Sequence, residues 1–380
     1  MTNFPARLAI DVDAIAVLRA TLEDVHFDFA LQTLRPEFAS SPFPHYEHLR
    51  DQLGTLNPTL ATALRLLSLA IPDSAVNVEA ALGREFIEAG VAVGLLTYDE
   101  ETDAFGTGGY SIVARLGHYF VVSTNPYYPN FDPANDNVYM GPDSFTLANC
   151  LQRLARGFGD VKRGLDLCNG SGIAGQSLAA QLPSSSWSGV DLNEFAVTTA
   201  NFNAELNQLA GSYRAIEGDL FSAVDGRFDL IVANPPFIPA PDGHAFPIYG
   251  NGGEDGLLVL RPLIADLGAH LSPAGTAVIY GEGLGDDERL LIEDLLDDAA
   301  TRDRLDFTLT IFSDGAIERA LYTLGVMLNN LNPARLEEIV AWRDLFQRQS
   351  ATRYAKFIVT AKPGAGSVRV HSLLKSRKAF

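Results

Sequence analysis

The chain has 380 residues, of which 47% are hydrophobic and 20% charged, a composition typical of a globular protein with room for two domains. Its net charge of −19 argues against a broad nucleic-acid surface, because such surfaces neutralise phosphates with Lys and Arg. Residues 1–7 lack the features of a signal peptide, no apolar run reaches the about 18 residues of a membrane span, and Cys150 and Cys168 are too few for a disulfide framework or a zinc set. We therefore expect a cytoplasmic protein with no membrane partner and no bound metal.

The first part of the chain is predicted to be mainly helical with a small β-ribbon. Helical spacing covers residues 11–35, 58–70, 77–82 and 85–96, and short apolar strands follow at 95–98, 110–115 and 118–122 with a turn at 99–109. This order is winged-helix-like, and such modules serve either as nucleic-acid readers or as protein-contact and lid domains. The acidic surroundings favour the second use. We predict an N-terminal substrate or lid domain over 1–137, whose last residues form a linker rich in turn formers.

From Arg163 onward, strands and helices alternate as in βαβ units. The pattern predicts an α/β, doubly wound, Rossmann-like sheet of seven strands in a catalytic domain over 138–380. Residues 314–349 have helical spacing and are too long for a tight crossover, so we predict a helical cap inserted before the last strand. The predicted strands lie near 163–168, 186–191, 212–217, 228–234, 275–281, 305–312 and 355–361, and the predicted helices near 173–182, 194–208, 255–271 and 286–297.

Polar residues follow the first predicted strands of this domain where each strand ends. Asp166, Cys168, Asn169, Gly170 and Gly172 form a strand–loop–helix junction in which glycine lets the backbone approach a ligand closely. NAD-binding proteins share such a loop, so it identifies no ligand by itself.

The next two strands supply the specificity that the glycine loop lacks. Asp191 and Leu192 follow the second strand, where a carboxylate would meet ribose hydroxyls, and Asp219 and Leu220 follow the third, where an acid beside apolar residues suits an adenine ring.

The fourth strand is apolar from Leu230 and stops at Asn234-Pro235-Pro236-Phe237. Neither proline can donate to a β-ladder, and each holds its predecessor in extended backbone. A rigid Asn234 amide, the Pro235 carbonyl and the Phe237 ring are therefore expected together at the carboxyl end of a central strand, where open α/β sheets bind ligands.

Over about residues 141–312 and 353–362, this ordered set resembles class I S-adenosylmethionine-dependent methyltransferases. The resemblance is to the branch that includes release-factor glutamine methyltransferases and exocyclic-amine methyltransferases, and residues 252–257, Gly-Gly-Glu-Asp-Gly-Leu, are similar to the glutamine members. Two positions depart from the family. Cys168 replaces a common first glycine, which indicates that this position needs no positive φ, and Phe237 replaces the commoner Tyr, which leaves stacking without a hydroxyl contact. The N-terminal 140 residues do not resemble the short helical bundle of the release-factor enzymes.

The resemblance implies S-adenosylmethionine as cofactor and a role for each matched residue. Asp166 would orient the loop near the amino-acid end of the cofactor, Asp191 would bind the ribose, and Asp219 with the Leu220 backbone would recognise adenine. The Asn234 side-chain oxygen and the Pro235 carbonyl would accept both hydrogens of a target –NH₂, beside a stacking Phe237. The remaining cofactor-binding positions are Cys168, Asn169, Gly170, Gly172 and Leu192, with Asn234 shared between the two sets.

We therefore expect an enzyme that transfers methyl to a planar or amine nitrogen of a small molecule or of a protein side-chain amide. The alternatives are a methyltransferase acting on an exocyclic amine of an RNA or DNA base, which the negative charge disfavours, and an enzyme that uses S-adenosylmethionine for non-methyl transfer or cyclisation. A non-catalytic binding protein would not need the motif of residues 234–237. We further expect residues 1–140 and 314–349 to wall the acceptor site.

Overall fold

A computed structural model describes residues 7–34, 46–123, 138–244 and 246–374. Contacts divide the chain into two compact units. The first contains Met1–Thr146, Gly170–Gln176 and Asn193–Ala215, and the second contains Leu147–Asn169, Ser177–Leu192 and Ile216–Phe380. The predicted domain boundary at 137 adjoins residues 124–137, which lie outside the described ranges, and it stays a prediction.

The first unit opens with two helices where the sequence predicted a single helix over 11–35. The side chain of Asp11 caps the first helix by accepting the Ala14 N–H at 3.0 Å. The prediction of one helix was wrong because His26 adopts a left-handed φ of 55° and turns the chain between the two. The helices that begin in this unit are α1 Val12–Asp24, α2 Phe27–Thr33, α3 Tyr46–Leu53, α4 Pro58–Ala63 (continued by a π-helix Leu64–Ser68), α5 Ala75–Leu82, α6 Arg84–Ala92, α7 Pro142–Leu154, α8 Ile173–Ala179 and α9 Glu194–Leu206.

A small antiparallel sheet completes the helical part of this unit. Its strands are β1 Asp73–Ser74, β2 Thr97–Asp99 and β3 Ala104–Gly106, in the order β1-β3-β2. The predicted ribbon over 95–98, 110–115 and 118–122 is not one sheet, because β2 pairs with β3 here and the other two segments pair in a separate sheet, so the winged-helix-like pattern stays a prediction. Gly83, with φ 84°, makes the turn between α5 and α6. The prediction of one long turn over 99–109 was wrong, because β3 lies inside it.

A separate hairpin, β4 Tyr110–Arg115 and β5 His118–Ser123, packs against α9 through two asparagine side chains. Asn207 accepts the Tyr119 N–H at 2.7 Å and donates to the Tyr119 carbonyl at 2.8 Å. Asn203 does the same for Val121, at 2.7 and 3.1 Å. Residues four apart on a helix rise about 6 Å and residues two apart on a strand about 6.8 Å, so two amides of one helix match the edge of one strand.

The main sheet has eight strands within the described residues, in the order β13-β11-β12-β10-β9-β6-β7-β8. The pairs formed by β6 with β7, β6 with β9 and β9 with β10 are parallel, whereas β12 runs antiparallel between β10 and β11. The predicted count of seven omitted β13, which adds a parallel edge strand beside β11. The strands are β6 Arg163–Leu167, β7 Ser186–Asp191, β8 Tyr213–Glu217, β9 Phe228–Ala233, β10 Leu271–Gly285, β11 Leu305–Ala316, β12 Arg353–Pro363 and β13 Val368–Ser372.

Two apolar clusters hold the second unit together. The larger cluster joins one face of the main sheet, which includes Ile279 and Phe357, to two helices. These are α10 Leu260–His270 and α11 Leu291–Asp303. The smaller cluster includes side chains of the predicted cap. The cap is observed as α12 Ile317–Leu331, a 3-10 helix Pro333–Glu338 and α13 Ile339–Arg348. None of the helices in the described ranges is long and apolar enough to span a membrane.

Candidate active site

The strand ends that carry the predicted site residues align at one edge of the sheet. In the parallel register, Leu167 of β6 lies beside Val190 of β7 on one side and Ala233 of β9 on the other. Cys168, Asp191 and Asn234, which each come one residue later, therefore meet at the carboxyl edge, as the sequence predicted.

Cys168 occupies the centre of this edge. Burial raises the pKa of the Cys168 thiol well above its ordinary value, and the nearby carboxylates of Asp191, Asp166 and Asp219 raise it further. The thiol is thus neutral at physiological pH, and the three predicted cofactor-binding acids lie within electrostatic range of it. In the part of the chain that the structure describes, no group of His, Cys, Asp and Glu side chains is arranged to hold a metal ion.

The backbone at Cys168 contradicts the expectation drawn from its side chain. Its φ is 54°, so the position is left-handed although it holds no glycine. A left-handed residue with a β-carbon costs about 1–2 kcal/mol. Leu220 is also left-handed, with φ 48°. Strain of this kind is kept at sites where surrounding structure fixes the backbone for a ligand.

Backbone hydrogen bonds tie the three loops at this edge to one another. Asn169 donates its N–H to the Val190 carbonyl at 3.2 Å, and Gly218 donates to the Asp191 carbonyl at 3.0 Å. The Asp219 N–H donates to the Ser222 hydroxyl at 3.1 Å and so starts the 3-10 turn that follows.

The three predicted cofactor-binding acids differ in their exposure to solvent. Asp166 is 1% exposed, Asp191 is half-buried and Asp219 is exposed. The buried carboxylate can only orient the loop, whereas the other two face solvent, where a ligand would lie. Leu192 is 58% exposed beside them.

Gly170 and Gly172 belong by their contacts to the first unit. Both have positive φ, 51° and 82°. A β-carbon on Gly172 would come within 2.5 Å of the Gln176 amide nitrogen. This pair therefore requires glycine for conformation and, at Gly172, also for space.

The Asn-Pro-Pro-Phe turn, residues 234–237, follows β9, and the rigidity expected of it stays a prediction. Asn234 is half-buried, Pro235 is buried, and Phe237 is 9% exposed. The Phe237 ring packs against Tyr280 of β10, with centroids 5.5 Å apart and planes tilted by 53°. One side of the ring is thus used for packing, which fixes its orientation; its stacking on an acceptor stays a prediction.

The segment Gly250–Gly256 braces this turn. Ile238 donates its N–H to the Gly250 carbonyl at 2.8 Å, and Gly252 donates to the Ile238 carbonyl at 2.9 Å. A β-carbon on Gly252 would lie 2.7 Å from the Phe237 carbonyl carbon, and one on Gly256 would lie 2.7 Å from the Phe237 carbonyl oxygen. The two glycines are therefore required because the segment touches the backbone of the turn.

Asp255 closes the same segment. Partial burial opposes its ionisation, but the Arg261 guanidinium and the Leu257 N–H, donated at 3.0 Å, lower its pKa below the usual range. The ionised carboxylate thereby fixes the chain that leads into α10.

The helical cap reaches the same loop from another direction. Trp342 of α13 is fully buried and donates its indole N–H to the Pro239 carbonyl at 2.6 Å, two residues after Phe237. Its ring also contacts His244 and Phe246, each with centroids 5.9 Å apart. The cap thus packs on the loop that follows the motif.

Sequence reasoning missed Glu282 and Lys356, which lie beyond Tyr280 on the same side of the sheet. Glu282 is 8% exposed and pairs with Lys356 at 2.7 Å. Glu282 is the one charged residue in the run 271–285. Because a charge in a buried strand needs a partner, this isolated acid could have indicated a buried ion pair.

Comparison with known proteins agrees with this geometry. Residues 142–245 match the methyltransferase small domain. A ribosomal protein uL3 glutamine methyltransferase of Francisella tularensis is 29% identical over 50% of this chain and 56% of its own length. A release factor glutamine methyltransferase of Rhodospirillum rubrum is 38% identical over 40% of this chain and 49% of its own length. The chain therefore spans about half the length of these curated relatives.

Among solved structures, a ribosomal protein L11 methylase from Lactobacillus delbrueckii superposes with a TM-score of 0.33 and 23% identity, over 49% of this chain and 84% of that one. The matched residues 142–245 include the glycine loop, the carboxylates of Asp191 and Asp219, and the complete Asn-Pro-Pro-Phe turn. Residues 142–245 are accordingly similar to the methyltransferase small domain, and the relatives that share this region are named as glutamine methyltransferases.

Proposed function

We propose that this protein is an S-adenosylmethionine-dependent N-methyltransferase that acts on a side-chain amide of a protein. The observation that carries the proposal is the alignment of Asp191, Cys168 and Asn234 at one sheet edge, with the acids on one side and the Asn-Pro-Pro-Phe turn on the other. The relatives that share this region are named as glutamine methyltransferases.

The residues present suit this cofactor. The carboxylates of Asp191, Asp166 and Asp219, which lie within electrostatic range of Cys168, complement a cation and supply acceptors for ribose hydroxyls. Asp191 and Asp219 would bind the nucleoside part, and Asp166 would keep the loop in place. When bound, S-adenosylmethionine supplies an electrophilic methyl group carried on a sulfonium.

The turn after β9 would prepare the acceptor nitrogen. The Asn234 Oδ1 and the Pro235 carbonyl are oxygen acceptors on a backbone that two prolines stiffen. If they accept both hydrogens of a planar –NH₂, its lone pair is directed towards the methyl donor. Positioning of this kind supplies up to about 7–11 kcal/mol.

Nucleic acid fits the first unit poorly. The end of β2 and the turn between β2 and β3 expose Asp99, Glu100, Glu101 and Asp103. Phosphates would be repelled there, so this surface favours a protein partner.

The test is transfer of labelled methyl from S-adenosylmethionine to purified release factor and ribosomal protein uL3, with mass spectrometry to locate the modified residue. The change Asn234→Ala should lower turnover by two to three decades, because deletion of one preorganised hydrogen bond costs about 3–4 kcal/mol. Affinity for S-adenosylhomocysteine should stay within twofold, since Asp191 and Asp219 are unchanged. Wild-type turnover in this variant, or methyl found on RNA or DNA instead of protein, would contradict the proposal.

A further inference from the structure

Next to the Asn-Pro-Pro-Phe turn, β10 carries a buried acid. Tyr280 and Glu282 are two residues apart and so face the same side of the sheet, the side on which Tyr280 meets the Phe237 ring at 5.5 Å. Glu282 is 8% exposed. A carboxylate so far from water must be neutralised and hydrogen-bonded.

Two donors converge on one oxygen of this carboxylate. The Tyr280 hydroxyl donates to Glu282 Oε1 at 2.7 Å, and the Lys356 ammonium donates to the same atom at 2.7 Å. Lys356 lies directly opposite Glu282 in the β10–β12 register. The contacts therefore run without interruption from Phe237 through Tyr280 and Glu282 to Lys356.

The two partners of the ion pair differ in exposure. The Glu282 side chain is 11% exposed and that of Lys356 41%. An ammonium has three donor positions, and the contact with Glu282 uses one of them. Lys356 thus presents anchored positive charge to solvent at the carboxyl edge of the sheet.

Charge is consequently divided along this edge. On the side of β6 and β7, the carboxylates of Asp166 and Asp191 lie at the ends of these two strands, which suits a cationic ligand. Lys356 lies on the side of β10 and β12, beyond Phe237. A cation there would repel a sulfonium and attract an electron-rich oxygen.

We propose that Lys356, anchored by Glu282, binds a carbonyl or carboxylate oxygen of the acceptor while the Asn234 turn holds its nitrogen. This assignment rests on the proposed function, because it names a second recognition point for the same acceptor. The ligand class is a molecule with an oxygen acceptor a few bonds from the reacting –NH₂, as in a side-chain amide and its neighbouring backbone. If the pair were a structural ion pair only, Lys356 would have no effect on ligand binding.

The experiment measures binding of two small probes to the full chain saturated with S-adenosylhomocysteine, by NMR titration. The probes are N-acetylglutamine, which ends in an α-carboxylate, and its α-methylamide; both carry the side-chain –NH₂ and they differ only in the neighbouring backbone oxygen group. Wild type should bind the carboxylate probe more tightly than the methylamide. Lys356→Met should weaken the carboxylate probe at least tenfold and abolish this preference, whereas Lys356→Arg should retain it.

Lys362→Met is the matched control, since Lys362 is exposed near the opposite end of the same strand. The double variant Glu282→Gln/Lys356→Met removes both charges, leaves no buried unpaired carboxylate, and should show the same loss. Affinity for S-adenosylhomocysteine within twofold of wild type shows that each variant is folded. Equal carboxylate binding by Lys356→Met and Lys362→Met, or no binding of either probe by wild type, overturns the assignment. No methyl transfer occurs in this experiment, so its result is independent of whether release factor or uL3 is methylated.

Discussion

Replacement of Trp342 by Phe tests whether the cap holds the loop that follows the Asn-Pro-Pro-Phe turn. The indole N–H donates to the buried Pro239 carbonyl at 2.6 Å, and Phe cannot replace it. Loss of a buried donor costs about 1–3 kcal/mol, and the smaller ring removes about two buried carbon-sized groups, which adds about 1–2 kcal/mol. We expect a destabilisation of about 2–5 kcal/mol, concentrated in the cap and in loop 238–253.

Hydrogen exchange of the loop amides is the assay. The backbone N–H groups of Ile238 and Ala240 are hydrogen-bonded within this loop, and a local loss of about 2 kcal/mol corresponds to about 30-fold faster exchange. Trp187→Phe is the matched control, because Trp187 is equally buried on β7 and donates to the Ser185 hydroxyl at 2.7 Å. Loop amides that exchange at the same rate in both variants would refute an anchoring role for Trp342.

Two further changes test the turn and the sheet. Gly252→Ala should lower turnover at least tenfold, because its β-carbon would displace the Phe237 backbone. The control Gly157→Ala should leave turnover unchanged, since a β-carbon there meets nothing within 4 Å. Equal turnover of the two variants would contradict the bracing role of residues 250–256. Partial burial opposes ionisation of Asp229, but the N–H groups of Arg163 and Lys162 and the Ser272 hydroxyl lower its pKa. The ionised carboxylate therefore stabilises the folded state above about pH 4, and this contribution is lost as the pH falls through the folded-state pKa. Asp229→Asn should therefore lower the free energy of unfolding by about 1 kcal/mol at pH 7, and the difference from wild type should shrink below about pH 4. Urea titrations at several pH values measure this difference. A difference that does not change with pH would show that the charge of Asp229 is not responsible.

The α/β part of the fold could be predicted closely because its signals are local. Strand β7 was predicted over 186–191 and is observed at Ser186–Asp191, since turn formers at 183–185 and at 193 bound this short segment on both sides. Strand β10 is longer than predicted because pairing with β12 extends it to Gly285, which depends on residues about 70 positions away in sequence. The break at His26 could not be predicted, because a left-handed residue within a helical pattern leaves no periodic trace.

The residues of the candidate site also differ in how well the sequence predicted them. The ends of neighbouring parallel strands share an edge, so Cys168, Asp191 and Asn234 were brought together by topology alone. The left-handed φ of Cys168 was predicted wrongly, because a residue type reports the usual backbone of its position and not the strain a site tolerates. Glu282 and Lys356 meet across an antiparallel pair whose register no local pattern specifies.

The asparagine ladder on β5 makes the hairpin dependent on a helix far along the chain. A two-stranded hairpin alone is marginal in water, and the contacts to Asn203 and Asn207 span 82 and 88 positions. These side-chain contacts can form only after α9 has been synthesised, which delays part of the packing of the hairpin during translation. Conversely, a chain begun after residue 137 would leave two amides at α9 without their strand, so residues 138–380 are not a cassette that recombination could move without the hairpin. Inheritance of the two parts together is the expected evolutionary outcome.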